Sequence, residues 1–507
     1  MTGLRNLLLA AVSGFALDLA FPDTGWWPLA ILAIAGLWWS LERVTAWSAF
    51  ALGTVFGTAF FLPHLAWADF AVGLVPWLAL SVVEGAFIGL AAAGWAHVRR
   101  SGMLKDRPWS TPVVFALIWT GAEQLRGMVP FGGFPWGRLG YALVDAPVAR
   151  LAWAGGVPLV TFAVALAGAA LGFGFEALRT RRFLVAAVAP VAAVGVLAVG
   201  YLVPLDAQAQ EGTMHVAAVQ GNVPDRGLDS FNQAREVTKN HVAETERVAE
   251  SGATVDLLVW PENAADIDPR VDGETMADVT RAAQAVDAPI LLGTVDYTPE
   301  DGRYNTSLLM STQGAVLDTY SKQRPAPFAE YIPLRDIARQ VTDVVDRVTD
   351  MLAGTEVAVM DAPVESLGRT VRVGSVICFE VAYDSIVRES VASGAEFLVV
   401  QTNNATFGRT AESTQQLQMS RLRAIETGRW TIQDSTVGVS AVIDSRGHVI
   451  AQTELFEAAH MVERINLRSE ITPAVRIGFF LGWAALLVPA AIVLLAMRRR
   501  VLEAYDW

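Results

Sequence analysis

The stretch "VGSVICFE" at residues 373–380 runs through β-branched and apolar residues and stops on Cys378, the one cysteine in 507 residues. A short apolar run of this kind reads as a buried strand. Working outward, similar runs recur at 214–220 ("MHVAAVQ"), 255–262 ("VDLLVWPE"), 288–297 ("APILLGTVDY") and 395–404 ("AEFLVVQTNN"). "YNTSLLMS" (304–311) and "AVLDTYSK" (315–322) flank the turn "TQG" and read as a hairpin, and 437–453 reads as two strands turning at Arg446-Gly447. Residues 229–251, 274–286 and 411–427 carry helical patterns between them. Strands alternating with helices predict a layered α/β domain.

The segments outside this region are of another kind. Leu151–Phe175, Phe183–Val203 and Ile477–Met497 are uncharged and each more than 20 residues long, enough to cross a hydrocarbon core of about 30 Å. Weaker apolar stretches lie near 7–21, 26–40, 46–67, 70–97 and 111–127, making eight expected spans. The first 21 residues resemble a signal peptide but lack a clear small-residue cleavage site, so they read as the first span. With a cytoplasmic N-terminus, the clusters Arg99–Arg107, Arg179–Arg182 and Arg498–Arg500 all fall inside. Both termini are then cytoplasmic. The chain divides into a seven-helix membrane domain (1–204), an extracytoplasmic domain (205–475), and a closing span with a basic tail (476–507).

Charge separates the same regions. Residues 205–475 hold 40 acids and 22 bases, whereas the rest of the chain holds 11 acids and 16 bases. An acidic stretch of that length reads as a globular domain, and its sign argues against nucleic acid as a partner. One cysteine cannot form an internal disulfide. The six histidines have no ligand spacing, so neither a metal nor any other cofactor is expected.

Three expected strand ends stop on reactive groups: Glu262, Lys322 and Cys378. The lysine is one of only three, against 35 arginines, and offers a compact ammonium with a tunable pKa. Together the three groups suit acyl transfer. An ammonium favours the thiolate. A carboxylate can take the thiol proton and return it to a leaving group. The ammonium, with backbone N–H groups after Cys378, can stabilise a tetrahedral oxyanion. The product would be a thioester on Cys378. Each residue alone has a blander reading, as a packed thiol or a solvated surface charge.

The flanking motifs carry a resemblance. "LLVWPENA" (257–264), "TYSKQRPAPFAEYIP" (319–333) and "GSVICFEVAYDS" (374–385) resemble the glutamate, lysine and cysteine motifs of the nitrilase superfamily, in the form found in apolipoprotein N-acyltransferases. "EQLRG" (123–127), "GGFPW" (132–136) and "LGYAL" (139–143) extend the likeness into the membrane part. The resemblance implies a nitrilase-like αββα sandwich inserted in an eight-helix membrane domain of the cytoplasmic membrane. It implies acyl transfer from a membrane phospholipid to the amine of a diacylglyceryl-cysteine on an apolipoprotein, ping-pong through a thioester, by a monomer.

It makes Glu262 the general base, Lys322 the oxyanion-stabilising lysine and Cys378 the nucleophile. Glu330, Glu380 and Phe379 become supporting residues. Phe231, Phe328, Tyr331, Asn403, Asn404 and Phe407 become substrate contacts. The site is expected to open at the bilayer surface, with "RPAPFAEYIP" and 225–232 as acyl-admitting loops. This chain departs from the family pattern with Phe379 where tyrosine is common. It also lacks the usual acid and tryptophan in "NNATFG" (403–408), which points to a different acyl-donor preference.

Two other readings stay open. A membrane-tethered amidase would use the same three residues, and an inactive scaffold would need none of them. Within the spans, Glu84, Glu123 and Arg126 are charged. At i, i+3 spacing, Glu123 and Arg126 are expected to pair with each other or to sit at the interface.

Overall fold

The computed structural model describes residues 2–223, 235–299, 302–340 and 349–505. The chain forms two compact units, one of residues 1–204 with 477–507 and one of residues 205–476.

The first unit begins with helices α1 (Thr2–Asp18), α2 (Pro28–Ser40), α3 (Ala46–His64), α4 (Ala66–Val72), α5 (Leu74–Arg100), α6 (Thr111–Arg126), α7 (Ala152–Arg179) and α8 (Phe183–Ala198). Glycine spacing explains the closest pair. Gly53 and Gly57 on α3 face Gly85 and Gly89 on α5, and a Cβ on Gly57 would lie 2.5 Å from the Gly85 Cα. Small residues four apart on both helices let the backbones touch, the usual device for helix association in lipid. Gly155 and Gly156 leave helical geometry and interrupt α7. Leu184, Val191 and Val194 on α8 are 79 %, 71 % and 66 % exposed, as an apolar solvent would allow.

Among the described residues, five helical segments are long and apolar enough to span a membrane: Ala46–His64, Leu74–Arg100, Pro147–Arg179, Phe183–Leu202 and Pro473–Arg499. The other three expected spans coincide with α1, α2 and α6, which have 17, 13 and 16 residues.

The charges on α5 and α6 pair differently from the sequence expectation. Arg126 does not pair with Glu123, its neighbour on α6. It reaches Glu84 on α5 at 2.8 Å and also donates to the carbonyls of Phe134 and Trp136. Glu123 instead accepts from Trp119, the Leu139 amide and the Thr161 hydroxyl. The physical reason is burial: neither group reaches water, so each takes partners from a neighbouring element that satisfy more of its hydrogen bonds than a lone i, i+3 contact could.

Among the described residues, the second unit contains twelve strands in two six-stranded sheets. One runs β12-β1-β2-β3-β4-β5 and the other β11-β10-β9-β8-β7-β6. The strands are β1 (Thr213–Gln220), β2 (Leu257–Val259), β3 (Ile290–Tyr297), β4 (Arg303–Met310), β5 (Val316–Ser321), β6 (Met360–Val364), β7 (Arg369–Ile377), β8 (Phe397–Thr402), β9 (Thr431–Ser435), β10 (Ala441–Ile443), β11 (Val449–Gln452) and β12 (Ala459–Asn466). Helices α9 (Glu236–Glu250) and α10 (Gly273–Val286) cover the first sheet, and α12 (Asp384–Ala392) and α13 (Glu412–Thr427) the second. The short α11 (Arg335–Ala338) lies between β5 and β6, and α14 (Pro473–Tyr505) closes the chain. This is the nitrilase-like sandwich expected from the motifs.

Strand direction sets the site. β1, β2 and β3 are parallel, β4 reverses and β5 reverses again, so β2 and β5 end on the same edge. In the other sheet β7, β8 and β9 are parallel. β8 is buried along its whole length and β7 over residues 373–377, which explains why "FLVV" and "VGSVI" read as near-continuous runs rather than alternating ones. β2 is shorter than the expected 255–262 strand because Pro261 has no N–H for the ladder.

Candidate active site

Glu262, Lys322 and Cys378, which are 60 and 56 residues apart in sequence, meet beyond the ends of β2, β5 and β7. Glu262 and Lys322 are buried, at 4 % and 1 % exposure. Lys322 Nζ lies 3.4 Å from Glu262 Oε1 and 2.6 Å from Glu330 Oε1. Glu262 also accepts from Asn305 Nδ2 at 2.5 Å, and the neighbouring Cys378 thiol acts to lower its pKa. Close backbone approach holds this loop: a Cβ on Gly293 would fall 2.7 Å from the Glu262 Cα, the Asn263 N and the Pro261 O.

Cys378 sits at φ 51°, in the left-handed region that a non-glycine residue adopts only under constraint. Glu380 supplies part of that constraint. It is fully buried and accepts from the Ile377 amide at 2.9 Å, the Gln323 amide at 2.7 Å and the Tyr320 hydroxyl at 3.0 Å. One carboxylate thereby ties the cysteine turn to the loop that carries Lys322. Glu330 does the same within that loop, accepting from the Ala326 amide at 2.6 Å while it holds Lys322.

The electrostatics follow from burial. Burial raises the Glu262 pKa; Lys322 opposes this and the Glu330 charge adds to it. Burial lowers Lys322, but Glu330, Glu262 and Cys378 more than offset it, so the net shift is upward and the group stays an ammonium. Burial, then the Glu262 charge, pushes the Cys378 thiol up, while Lys322 and the Thr402 hydrogen bond pull it down. Burial thus disfavours the thiolate and raises the basicity of the Glu262 carboxyl beside it. Nucleophilic attack must be coupled to proton transfer.

The other expected site residues occupy varied positions. Phe379 is buried and meets Tyr383 edge-on, with ring centroids 5.5 Å apart. Phe328 is 47 % exposed and Tyr331 half-buried, on the loop that carries Glu330. Asn403 and Phe407 are half-buried, and Asn404 is buried. Phe231 lies outside the described residues, as does the whole 225–232 loop. Sequence reasoning missed Asn305, Thr402, Gln416 and Glu412. Thr402 Oγ1 is 3.4 Å and Gln416 Nε2 3.8 Å from the Cys378 sulfur. For Glu412 and Gln416 the available signal was a helix rich in Glu, Ser, Thr and Gln a short loop after β8.

Residues 215–470 match the family model of carbon-nitrogen hydrolases, which gives the second unit its class: a nitrilase-like acyl-chemistry domain. Residues 13–170 match the apolipoprotein N-acyltransferase N-terminal domain. The apolipoprotein N-acyltransferase of Mycolicibacterium smegmatis is 37% identical, covering 97% of this chain and 85% of the relative. That of Geobacter metallireducens is 30% identical, covering 98% of this chain and 96% of the relative. The chain belongs to the apolipoprotein N-acyltransferase family. Among solved structures, a variant of the nitrilase-superfamily amidase of Nesterenkonia AN1 aligns at 16% identity and a TM-score of 0.38, covering 52% of this chain and 93% of that one.

Proposed function

We propose that this protein transfers an acyl chain from a membrane phospholipid to the amine of an apolipoprotein's N-terminal diacylglyceryl-cysteine, in two half-reactions. Glu262 takes the Cys378 proton as sulfur attacks the ester carbonyl. The oxyanion that forms is held by Lys322 and by backbone N–H groups after Cys378. Collapse expels the lysophospholipid alcohol, which takes the proton from Glu262 and leaves a thioester. The acceptor amine then gives a proton to Glu262 as it attacks the thioester. The sulfur leaves and recovers that proton.

The observation that carries this reading is the convergence of Glu262, Lys322 and Cys378 beyond three strand ends, electrostatically coupled to one another, in a chain of this family. Glu330 and Glu380 are positioning residues in this scheme. Phe328, Tyr331, Phe407 and Asn403 are the proposed lipid contacts, with Phe231 beside them by sequence. The protein acts as a monomer without a cofactor. All eight apolar segments cross the membrane, both termini are cytoplasmic, and residues 205–475 lie outside, in keeping with the arginine distribution.

The test is acyl transfer in detergent from a defined phospholipid to a synthetic diacylglyceryl-cysteine peptide. One added acyl chain on the peptide amine, absent with Cys378→Ala, is expected. Release of free fatty acid with no acylated peptide would sink the proposal.

A further inference from the structure

Behind the thiol lies a chain of buried polar side chains that the mechanism above does not use. Thr402, at the end of β8, is the strand neighbour of the cysteine turn, since Ile377 pairs with Gln401. Its hydroxyl is 3.4 Å from Cys378 Sγ and 2.9 Å from Gln416 Oε1. Gln416, on α13, places Nε2 3.8 Å from Sγ and accepts at Oε1 from Asn404 Nδ2 at 3.2 Å. Asn404 Nδ2 also donates to Glu412 Oε2 at 2.5 Å, and Asn404 Oδ1 accepts from Ser435 Oγ at 2.5 Å. Thr402, Gln416 and Ser435 are each 0 % exposed.

The hydrogen-bond partners support one orientation for each member. Ser435 Oγ accepts the Gly438 amide at 2.8 Å, so its one proton is free to point at Asn404 Oδ1. That places the Asn404 NH2 toward Glu412 and Gln416. Gln416 Oε1 must then be the atom facing Asn404, and its NH2 is left facing the sulfur. The relay thus ends in an amide N–H aimed at the thiol. The Thr402 hydroxyl adds a second donor, which can bond Gln416 Oε1 while the sulfur is protonated and turn to the sulfur when it becomes anionic.

We infer that Thr402 and Gln416 are catalytic donors to the Cys378 sulfur, stabilising it as a thiolate both when it attacks the acyl donor and when it leaves the thioester, with Asn404 and Glu412 as positioning residues that lock the Gln416 amide. The proton still passes between Sγ and Glu262; the two donors move no proton and only share the negative charge that sulfur carries. The inference rests on Cys378 being the nucleophile. It assigns Asn404 to the interior of the site rather than to substrate.

The single cysteine makes the test direct. The rate of Cys378 alkylation by iodoacetamide is followed by intact mass across pH 6 to 10 on the full chain in detergent, for wild type, Thr402→Val, Thr402→Ser and Gln416→Glu. The last variant keeps the Oε1 acceptor and removes the amide donor. Removing a hydrogen bond to a charged group is expected to slow alkylation about tenfold or more at a fixed pH below the thiol pKa and to move the profile upward by about one unit. Thr402→Ser, which keeps the hydroxyl, is expected to track wild type. Unshifted profiles for Thr402→Val and Gln416→Glu would overturn the inference, as would a Thr402→Ser profile displaced as far as Thr402→Val. Acyl-adduct formation on the wild type, measured in parallel, separates these outcomes from failure of Cys378 as nucleophile.

Discussion

Replacing Glu330 by glutamine should slow formation of the acyl-enzyme through Lys322. The carboxylate accepts two bonds at once, from Lys322 Nζ at 2.6 Å and from the Ala326 amide at 2.6 Å. A glutamine side chain has one oxygen. If it faces Lys322, its NH2 meets the Ala326 N–H; if it turns, the NH2 meets the ammonium. Either way a charge-assisted bond is weakened and a buried donor is left without an acceptor. A bond of that kind contributes about 1.5–3 kcal/mol, which corresponds to roughly ten- to 150-fold in rate. The loss also lowers the basicity of Glu262, because the Glu330 charge helps hold that carboxyl above its ordinary range. The assay is rapid-quench acylation by phospholipid, read as intact mass, at matched thermal stability. A rate within twofold of wild type would refute the reasoning.

Three further outcomes follow from the same geometry. Acylation by the wild type should fall on acidification at a pH above the ordinary carboxylate range, because Glu262 must be ionised to accept the thiol proton and burial raises its pKa. A pH–rate profile checks this. Gly293→Ala should lower stability by about 1–3 kcal/mol and slow acylation, since the new Cβ meets the backbone of the Glu262 loop; thermal unfolding and the quench assay measure both. Asp434 is wholly buried, and burial raises its pKa well above the usual value. The folded state therefore keeps this proton at a pH where the unfolded chain has lost it. Each pH unit above about 4 then favours unfolding by up to about 1.4 kcal/mol until the folded group ionises. Asp434→Asn should raise the Tm at pH 8, with the gain shrinking toward pH 5.

The sandwich was legible because its central strands β1, β2, β3, β7 and β8 are largely buried on both faces and read as mostly apolar runs. The hairpin "YNTSLLMS"–"AVLDTYSK" forms as read, as β4 and β5. β6, β9 and β12 were not anticipated: "TIQDS" in β9 is polar by composition, yet every residue is buried. The triad stood out because each member ends an apolar run. Its supporting network did not, because α13 buries polar residues such as Gln416 and Glu412 as well as apolar ones, and periodicity methods see only the latter. Burial lifts the Glu412 pKa to about 8, a property set by its surroundings in the fold and not by the local sequence. The Glu84–Arg126 pair was missed for a similar reason: it joins residues 42 apart on different helices.

The measurement that tests the account most directly is the intact mass of the full chain in detergent after incubation with phospholipid alone. The account predicts a gain of one acyl chain that hydroxylamine removes and that Cys378→Ala never acquires. A folded, monodisperse sample that gains no adduct from any common phospholipid would contradict it.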